Sequence, residues 1–392
     1  MKRAVLFDLD GTLLDTLGGI TDASNVILAR CGRRANTREE MVHYIGSGAR
    51  HQMKCAWHGD IGDAALDEVV ALYCAYYDSH LDPVEVYGGI TELLRELKAQ
   101  GVRTAIVSNK PHAATVLLAE RFFDGLIDAV VGQKDGVPKK PAEDMARLAM
   151  EELSVRREDC ILVGDGETDV LTAKAAGIPC ISVTWGYRSA EELLAGGADI
   201  LADTVEELRR FLIVDVAAAR YLTVLKRRRS IRQFEPRPVE REKLEMLLSA
   251  ALLLPTSRDL KPVDYTAVTK RETIDALARC KAAGAGMLAT APLVLVLTAR
   301  TETADTWCED ASLAAIALQL LAEELGLGSC WVQMHMRKDT AGSDAERNVA
   351  KVLGLPADRR CVCMLALGYR AEEKKAAVTP DLHDRRITVI KE

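Results

Sequence analysis

Apolar residues in the first half of the chain fall into short, β-branched runs: Ala4–Phe7, Val102–Val107, Ile127–Val131, Cys160–Val163 and Pro179–Val183. Between them lie segments whose apolar positions recur at helical spacing, such as Ile90–Gln100 and Ala142–Leu153. Alternation of this kind predicts a parallel sheet covered by helices on both faces. Between the first two runs, about residues 18–83 show a helical pattern and no strand-like run, which reads as a helical insertion. The pattern then changes. Helical segments at Tyr221–Lys226, Arg241–Leu252 and Asp310–Leu325 mix with strand-like runs at Pro292–Thr298 and Cys361–Leu367, an α+β arrangement with no G-x-G-x-x-G. Two domains are therefore expected, 1–213 and 214–392, each long enough to bury a core. The joint, near Leu212–Tyr221, has no Pro or Gly run, so an ordered connection is expected there.

Composition narrows the class. With 48% hydrophobic and 28% charged residues and no low-complexity tract, nothing calls for disorder on the scale of a domain. The apolar run Ala4–Phe7 meets Asp8 before an export signal could form, and Leu293–Leu297 and Leu313–Ala322 fall short of the roughly 20 residues a spanning helix needs. A cytoplasmic protein with no membrane partner is expected. The ten cysteines show no CxxC, so reduced, buried thiols are expected, with Cys361 and Cys363 packed along a strand. The net charge of −7 is uneven: residues 1–214 carry 23 Lys+Arg against 34 Asp+Glu, and residues 215–392 carry 28 against 24. The basic bunch Lys226–Arg229 with Arg232 suits one phosphate ligand better than a nucleic acid, which would call for a broad basic face.

Candidate chemistry concentrates at strand ends. Ala4–Phe7 runs into Asp8-Leu9-Asp10-Gly11-Thr12, and strand alternation brings Asp8 and Asp10 out on one side. One carboxylate can attack phosphorus while the other moves protons, and Gly11 lets the backbone turn under a phosphate. A second acidic pair, Asp165 and Asp169, follows Cys160–Val163. Carboxylates from two strand ends can hold one hard cation, and magnesium fits better than zinc or calcium. Ser108 and Asn109 after Val102–Val107, and Lys140 in Lys139-Lys140-Pro141, would offset phosphoryl charge. Singly, each fragment is also what a helix cap or a solvated lysine looks like. Four in order, each after a predicted strand, outweigh that reading.

FDLDGTLLDT, VSNK, KKP and GDGETD resemble the four motifs of the haloacid dehalogenase superfamily, over residues 1 to about 213. Phe123–Pro141 and Val183-Thr184-Trp185-Gly186-Tyr187 look most like its phosphoglycolate phosphatase-like branch, with a helical cap after the first motif. The resemblance implies a Rossmann-like core, Asp8 as the nucleophile that forms an aspartyl-phosphate, and Asp10 as general acid/base. It implies Gly11, Thr12, Ser108, Asn109 and Lys140 around the phosphate. Magnesium would sit on Asp8, Asp165 and the Asp10 carbonyl, with Asp169 orienting this shell. The branch's KPxP is absent, since Ala142-Glu143 follows Lys140-Pro141.

The second half opens with Arg227-Arg228-Arg229-Ser230-Ile231-Arg232, guanidinium and hydroxyl groups that could clamp a phosphate. Taken alone, the run could equally be a solvated basic face. With Pro255-Thr256-Ser257-Arg258-Asp259-Leu260-Lys261-Pro262, GLGSCWVQ at Gly326–Gln333 and Leu367-Gly368-Tyr369, the text from about 221 to 375 resembles the nitroreductase family. That implies an α+β fold, bound FMN, NAD(P)H as co-substrate, a small electron acceptor, and a homodimer through this domain. Arg228, Ser230, Arg232, Asp259 and Lys261 would bind the flavin, with the basic tract 374–375 or 385–386 as candidates to close on its phosphate. Met334–Arg337 reads as a continuation of the GLGSCWVQ strand. Two departures stand out: Asp259 replaces the family's asparagine, and Lys261-Pro262-Val263 stands for QPW. Asp259 either opposes the charge of reduced flavin or points away, pairing with Arg258 or capping a turn. The whole reads as a phosphatase acting on a small phosphate ester, fused to an FMN oxidoreductase. The alternative is a second half that senses flavin or dimerises and turns over little.

Overall fold

The computed structural model describes residues 3–81, 84–213, 216–379, 386–388 and 390. Residue 83 at the expected end of the insertion, the expected joint at 214, and residue 385 lie outside them. The chain forms two compact units, 1–223 and 224–392.

The first unit is built on eight strands: β1 (Ala4–Phe7), β2 (Leu14–Asp15), β3 (Glu85–Val86), β4 (Arg103–Pro111), β5 (Ala129–Gln133), β6 (Cys160–Gly164), β7 (Cys180–Val183) and β8 (Leu201–Ala202). Six of them form a parallel sheet in the order β5-β4-β1-β6-β7-β8. Its strands are short and apolar on both sides because both faces are covered. Val5 and Phe7 of β1, Ile106 of β4, and Ile161 and Val163 of β6 pack into one core cluster. Ala4 and Leu6, Ala105 and Val107, and Cys160 and Leu162 pack into the other. This is the two-residue period of a strand seen from both faces.

The chain leaves β1, returns to β4 and β5 on one side, and then crosses to β6 on the other. The order therefore reverses beside β1, and a crevice opens at the strands' C-terminal ends. The expected helical insertion is present as helices Leu17–Arg30, Arg38–Met41, Ala49–Ala56 and Asp63–Asp78. At its root, β2 and β3 pair antiparallel, Leu14 with Val86.

The second unit has a four-stranded antiparallel sheet, β11-β12-β10-β9, from β9 (Val263–Val268), β10 (Leu293–Arg300), β11 (Gly328–Gln333) and β12 (Arg359–Gly368). Leu293, Leu295 and Leu297 face one cluster, shared with Ala314, Ala315 and Leu318 of helix Trp307–Glu324. Val294 and Val296 face another, shared with Val349 of helix Ala345–Leu353.

Several expectations change. The first unit extends past 213, because Ala219 of helix Val216–Arg227 is buried in its core and Thr223 Oγ1 accepts the Leu201 amide at 3.0 Å. Met334–Arg337 does not continue β11: the strand ends at Gln333, Met336 sits at φ 57°, and Glu346 Oε1 accepts its amide at 2.9 Å. Val263 starts the edge strand β9, which the strand-like runs above do not include. All ten cysteines are free, but only Cys160, Cys280, Cys330, Cys361 and Cys363 are buried, and Cys31 is exposed.

Candidate functional site

Strands β1 and β6 run parallel in register, Phe7 beside Val163, so Asp8 and Asp165 emerge from neighbouring strand ends. Asp169 stands in the first turn of helix Glu167–Ala176, where its Oδ2 accepts the Gly166 amide at 3.1 Å. The carboxylates of Asp8, Asp165 and Asp169 are all buried and offer ligand atoms within 4.8 Å of one another. Lys140 Nζ joins them, 2.9 Å from Asp8 Oδ1 and 2.6 Å from Asp169 Oδ1. The contact with Asp8 falls outside hydrogen-bond angles, which leaves that oxygen buried without a hydrogen-bonded partner. Asp165 is aimed by Thr12 Oγ1, which donates to its Oδ1 at 3.1 Å, and by the Tyr187 amide, 2.8 Å from its Oδ2.

These charges do not balance. Burial, only partly offset by Lys140, pushes the Asp8 carboxyl up to about 7, and burial followed by Asp8 and Asp169 pushes Asp165 up to about 8. Burial opposes the charge on Lys140, but Asp169 and Asp8 hold its ammonium protonated. Three buried carboxylates against one ammonium, all oxygen donors, fit a hard divalent cation.

Backbone geometry allows this convergence. Gly11 sits at φ 83°, and a Cβ there would come within 2.2 Å of Asp165 Oδ2, so no side chain fits. Ser108 is buried, and its hydroxyl accepts the Lys110 amide at 3.3 Å. The amide of Asn109 is spent on the chain itself: Nδ2 donates to Gly46 O and Lys140 O, and Oδ1 accepts the Lys140 amide. Asn109 thus ties the Lys140 loop and an insertion loop to β4. Asp10 is not part of the acidic trio: Thr16 Oγ1 donates to it at 2.7 Å and Lys110 Nζ at 3.1 and 3.2 Å. A cavity of about 180 Å³ opens beside these groups, lined also by Gln52, Tyr73, Tyr77 and Asp78 of the insertion.

Lys110 and Tyr187 are the residues that sequence reasoning missed. Lys110 stands two positions beyond Ser108 on β4, and strand alternation was the available signal. Nothing in the sequence places Tyr187 Oη 2.9 Å from the Thr16 amide.

In the second unit, Ser230 bridges Ser329 and the Ile231 amide donates to Ser329 O at 3.0 Å, so Arg228–Arg232 lies along β11. Gly328 permits this close approach, since a Cβ there would meet Ile231 at 2.9 Å. Arg229 has a buried Nε with no hydrogen-bond partner, and burial and then Arg228 lower its pKa. Unbalanced cationic charge of this kind fits an anion such as a phosphate. Lys374 pairs with Glu372, which accepts the Arg232 amide, so the tract at 374 reaches this segment.

Asp259 and Lys261 stand elsewhere. They precede β9 at the opposite edge of the sheet from β11, and pair with each other at 3.5 Å. Arg258 pairs with Asp305. Arg258, Asp259 and Lys261 all have φ near +50°, a strained run held by the Lys261 amide on Thr256 and by Arg300 on Lys261 O.

Acidic residues converging from β1 and β6 at a switch point, with a buried lysine among them, define the first unit as a phosphohydrolase-type α/β core with a helical cap. Residues 5–183 match the haloacid dehalogenase-like hydrolase family, and residues 225–283 and 277–369 match the nitroreductase family. The chain belongs to the first family through its first unit and to the second through its second, and both are families of enzymes, phosphatase and oxidoreductase. It is 34% identical over 215 residues to phosphoglycolate phosphatase 1 of Pseudomonas aeruginosa, covering 53% of this chain and 79% of that protein. It is 34% identical over 222 residues to the phosphoglycolate phosphatase of Rhodospirillum rubrum, covering 54% and 91%. An FMN-dependent nitroreductase from Clostridium difficile R20291 aligns at 38% identity over 44% of this chain and 99% of its own, with a TM-score of 0.42. Among the described residues, no helix is long and apolar enough to cross a membrane.

Proposed function

We propose that the chain is a cytoplasmic, bifunctional enzyme: a magnesium-dependent phosphomonoesterase of phosphoglycolate phosphatase type, joined to an FMN oxidoreductase that draws hydride from NAD(P)H. The observation that carries the first activity is the trio Asp8, Asp165 and Asp169 within 4.8 Å, with Lys140 among them and Asp10 two residues from Asp8.

Asp8 attacks phosphorus, and the leaving oxygen departs with the bonding electrons and takes a proton from Asp10. Asp8 then carries the phosphoryl group, and Asp10 takes a proton from the water that hydrolyses it. Ser108, the backbone at Gly11 and Thr12, and Lys140 hold the phosphoryl oxygens, while Asn109 keeps Lys140 in place. Magnesium, held by Asp8, Asp165 and the Asp10 carbonyl with Asp169 behind them, would draw charge off those oxygens.

In the second unit, Arg228, Ser230 and Arg232 hold FMN, which supplies the hydride chemistry. A homodimer fits the placement of Asp259 and Lys261 at the sheet edge opposite Arg228–Arg232. Exposed Leu252, Leu253 and Leu313 offer it an apolar surface.

Phosphate release over a panel of small esters, with Asp8→Asn as control, tests the first activity. The variant should lose nearly all turnover and keep the flavin spectrum; appreciable residual turnover refutes covalent catalysis at Asp8. Anaerobic reduction of the flavin by NADH and NADPH tests the second, and a monomer in sedimentation that holds one FMN refutes the shared site.

A further inference from the structure

Lys110 is a buried charge to which phosphoryl transfer as described assigns nothing. It is 7% exposed near the end of β4, with its ammonium on both oxygens of Asp10 at 3.1 and 3.2 Å. On its other side lies the ring of Tyr77, whose centroid is 4.3 Å from Nζ. Tyr77 belongs to the last turns of helix Asp63–Asp78, part of the helical insertion that caps the sheet. Asp10 is held from a third direction by Thr16 Oγ1, itself 3.1 Å from Tyr187 Oη.

Space filling does not explain this arrangement. An apolar side chain would occupy the same volume without taking an ammonium out of water. Phosphate binding does not explain it either, because Lys140 is the cation on Asp8, and Lys110 stands on the side of Asp10 where the cap lines the cavity. That is the side on which a leaving group must sit. The ammonium touches one carboxylate of the core and one aromatic face of the cap, so a shift of the cap helix is felt at Asp10 through a single side chain.

We propose that Lys110 is a positioning residue for Asp10, clamped between that carboxylate and the Tyr77 ring of the cap, so that the aim of Asp10 at the leaving oxygen depends on the seating of the cap. This rests on the reading of Asp10 as the group that protonates the leaving oxygen. In that step the phosphorus–oxygen bond breaks, its electron pair goes to the leaving oxygen, and the Asp10 proton follows. An ester with a poor leaving group needs the proton, whereas a nitrophenolate leaves without it.

The experiment compares kcat/KM for 2-phosphoglycolate and for p-nitrophenyl phosphate in the parent, Lys110→Met and Tyr77→Leu, all as full chains with magnesium. This constant covers the steps up to loss of the leaving group and omits the hydrolysis common to both esters. Lys110→Met should lower kcat/KM for phosphoglycolate by about 10- to 100-fold and for the nitrophenyl ester by less than about threefold. Tyr77→Leu should move the ratio the same way by a smaller factor. Equal losses for both esters, or no loss, overturn the proposal. Should Lys110→Met fail to fold, the ratio in Tyr77→Leu decides, and an unchanged ratio overturns it. Failure of the underlying reading shows separately, as an Asp10→Asn variant that loses no more kcat/KM for phosphoglycolate than for the nitrophenyl ester.

Discussion

Asp165→Asn should make the metal-free first unit more stable at alkaline pH while removing its phosphatase activity. The Asp165 carboxyl is pushed from 3.8 up to about 8, by burial first and then by Asp8 and Asp169. The folded chain therefore keeps a proton that the unfolded chain releases above about pH 4, so this group's contribution to stability is complete below that pH and is lost as pH rises through about 8. At 1.36 kcal/mol per pH unit of differential binding, about 4 kcal/mol at most is lost from this one group between about pH 5 and pH 8. Asparagine carries no charge and can keep both contacts, with its oxygen taking the Tyr187 amide and Thr12 Oγ1 turning from donor to acceptor. The stability gap between variant and parent should widen in the variant's favour by about 2–4 kcal/mol from about pH 5 to pH 8. Urea unfolding in chelator at the two pH values, followed by a probe in the first unit, measures it. Added magnesium should then raise the parent by about 2.7 kcal/mol at a hundredfold excess over its dissociation constant and leave the variant nearly unchanged. A gap that is the same at both pH values would refute the claim that these carboxylates are crowded without a cation.

A fragment ending at 213 should be less stable than one ending at 227 by about 1–3 kcal/mol, because it loses buried Ala219 and leaves the Leu201 amide without Thr223. Thermal melts of the two fragments check this, and equal midpoints would place the boundary back at 213. Asp259→Asn should move the flavin midpoint potential by less than about 15 mV, since the carboxylate is already paired with Lys261, whose charge offsets it. A spectroelectrochemical shift of tens of millivolts would show instead that the charge acts directly on the ring.

The fold was legible wherever a short-range period decides it. β1, β4 and β6 read correctly as strands because each is buried on both faces, so their text is a plain apolar run; Asp8 and Gly164-Asp165 mark the ends of β1 and β6, whereas β4 runs on past Val107 to Pro111. The insertion read correctly because four helices in succession leave no β-branched run. β9 was missed because it is an edge strand whose side chains Asp264, Tyr265 and Thr266 are only half-buried, so its pattern is diluted. The continuation into Met334–Arg337 was misread because Glu346, eleven residues beyond His335, takes both His335 Nδ1 and the Met336 amide and turns the chain.

The sequence by itself determined which groups can do chemistry here: paired carboxylates after one strand, a second pair after another, and a hydroxyl and an ammonium between them in chain order. It did so because backbone alternation and strand ends are local properties. The tertiary structure decided what each group faces. Register between β1 and β6 sets Asp8 against Asp165, and a helix of the insertion sets Tyr77 over Lys110 and so claims Asp10 for a cation the motifs leave unassigned. The four-stranded order puts Arg228–Arg232 and Asp259 at opposite edges of one sheet. These are contacts between residues tens of positions apart, fixed by packing and by the balance of buried charge, and no local pattern encodes them.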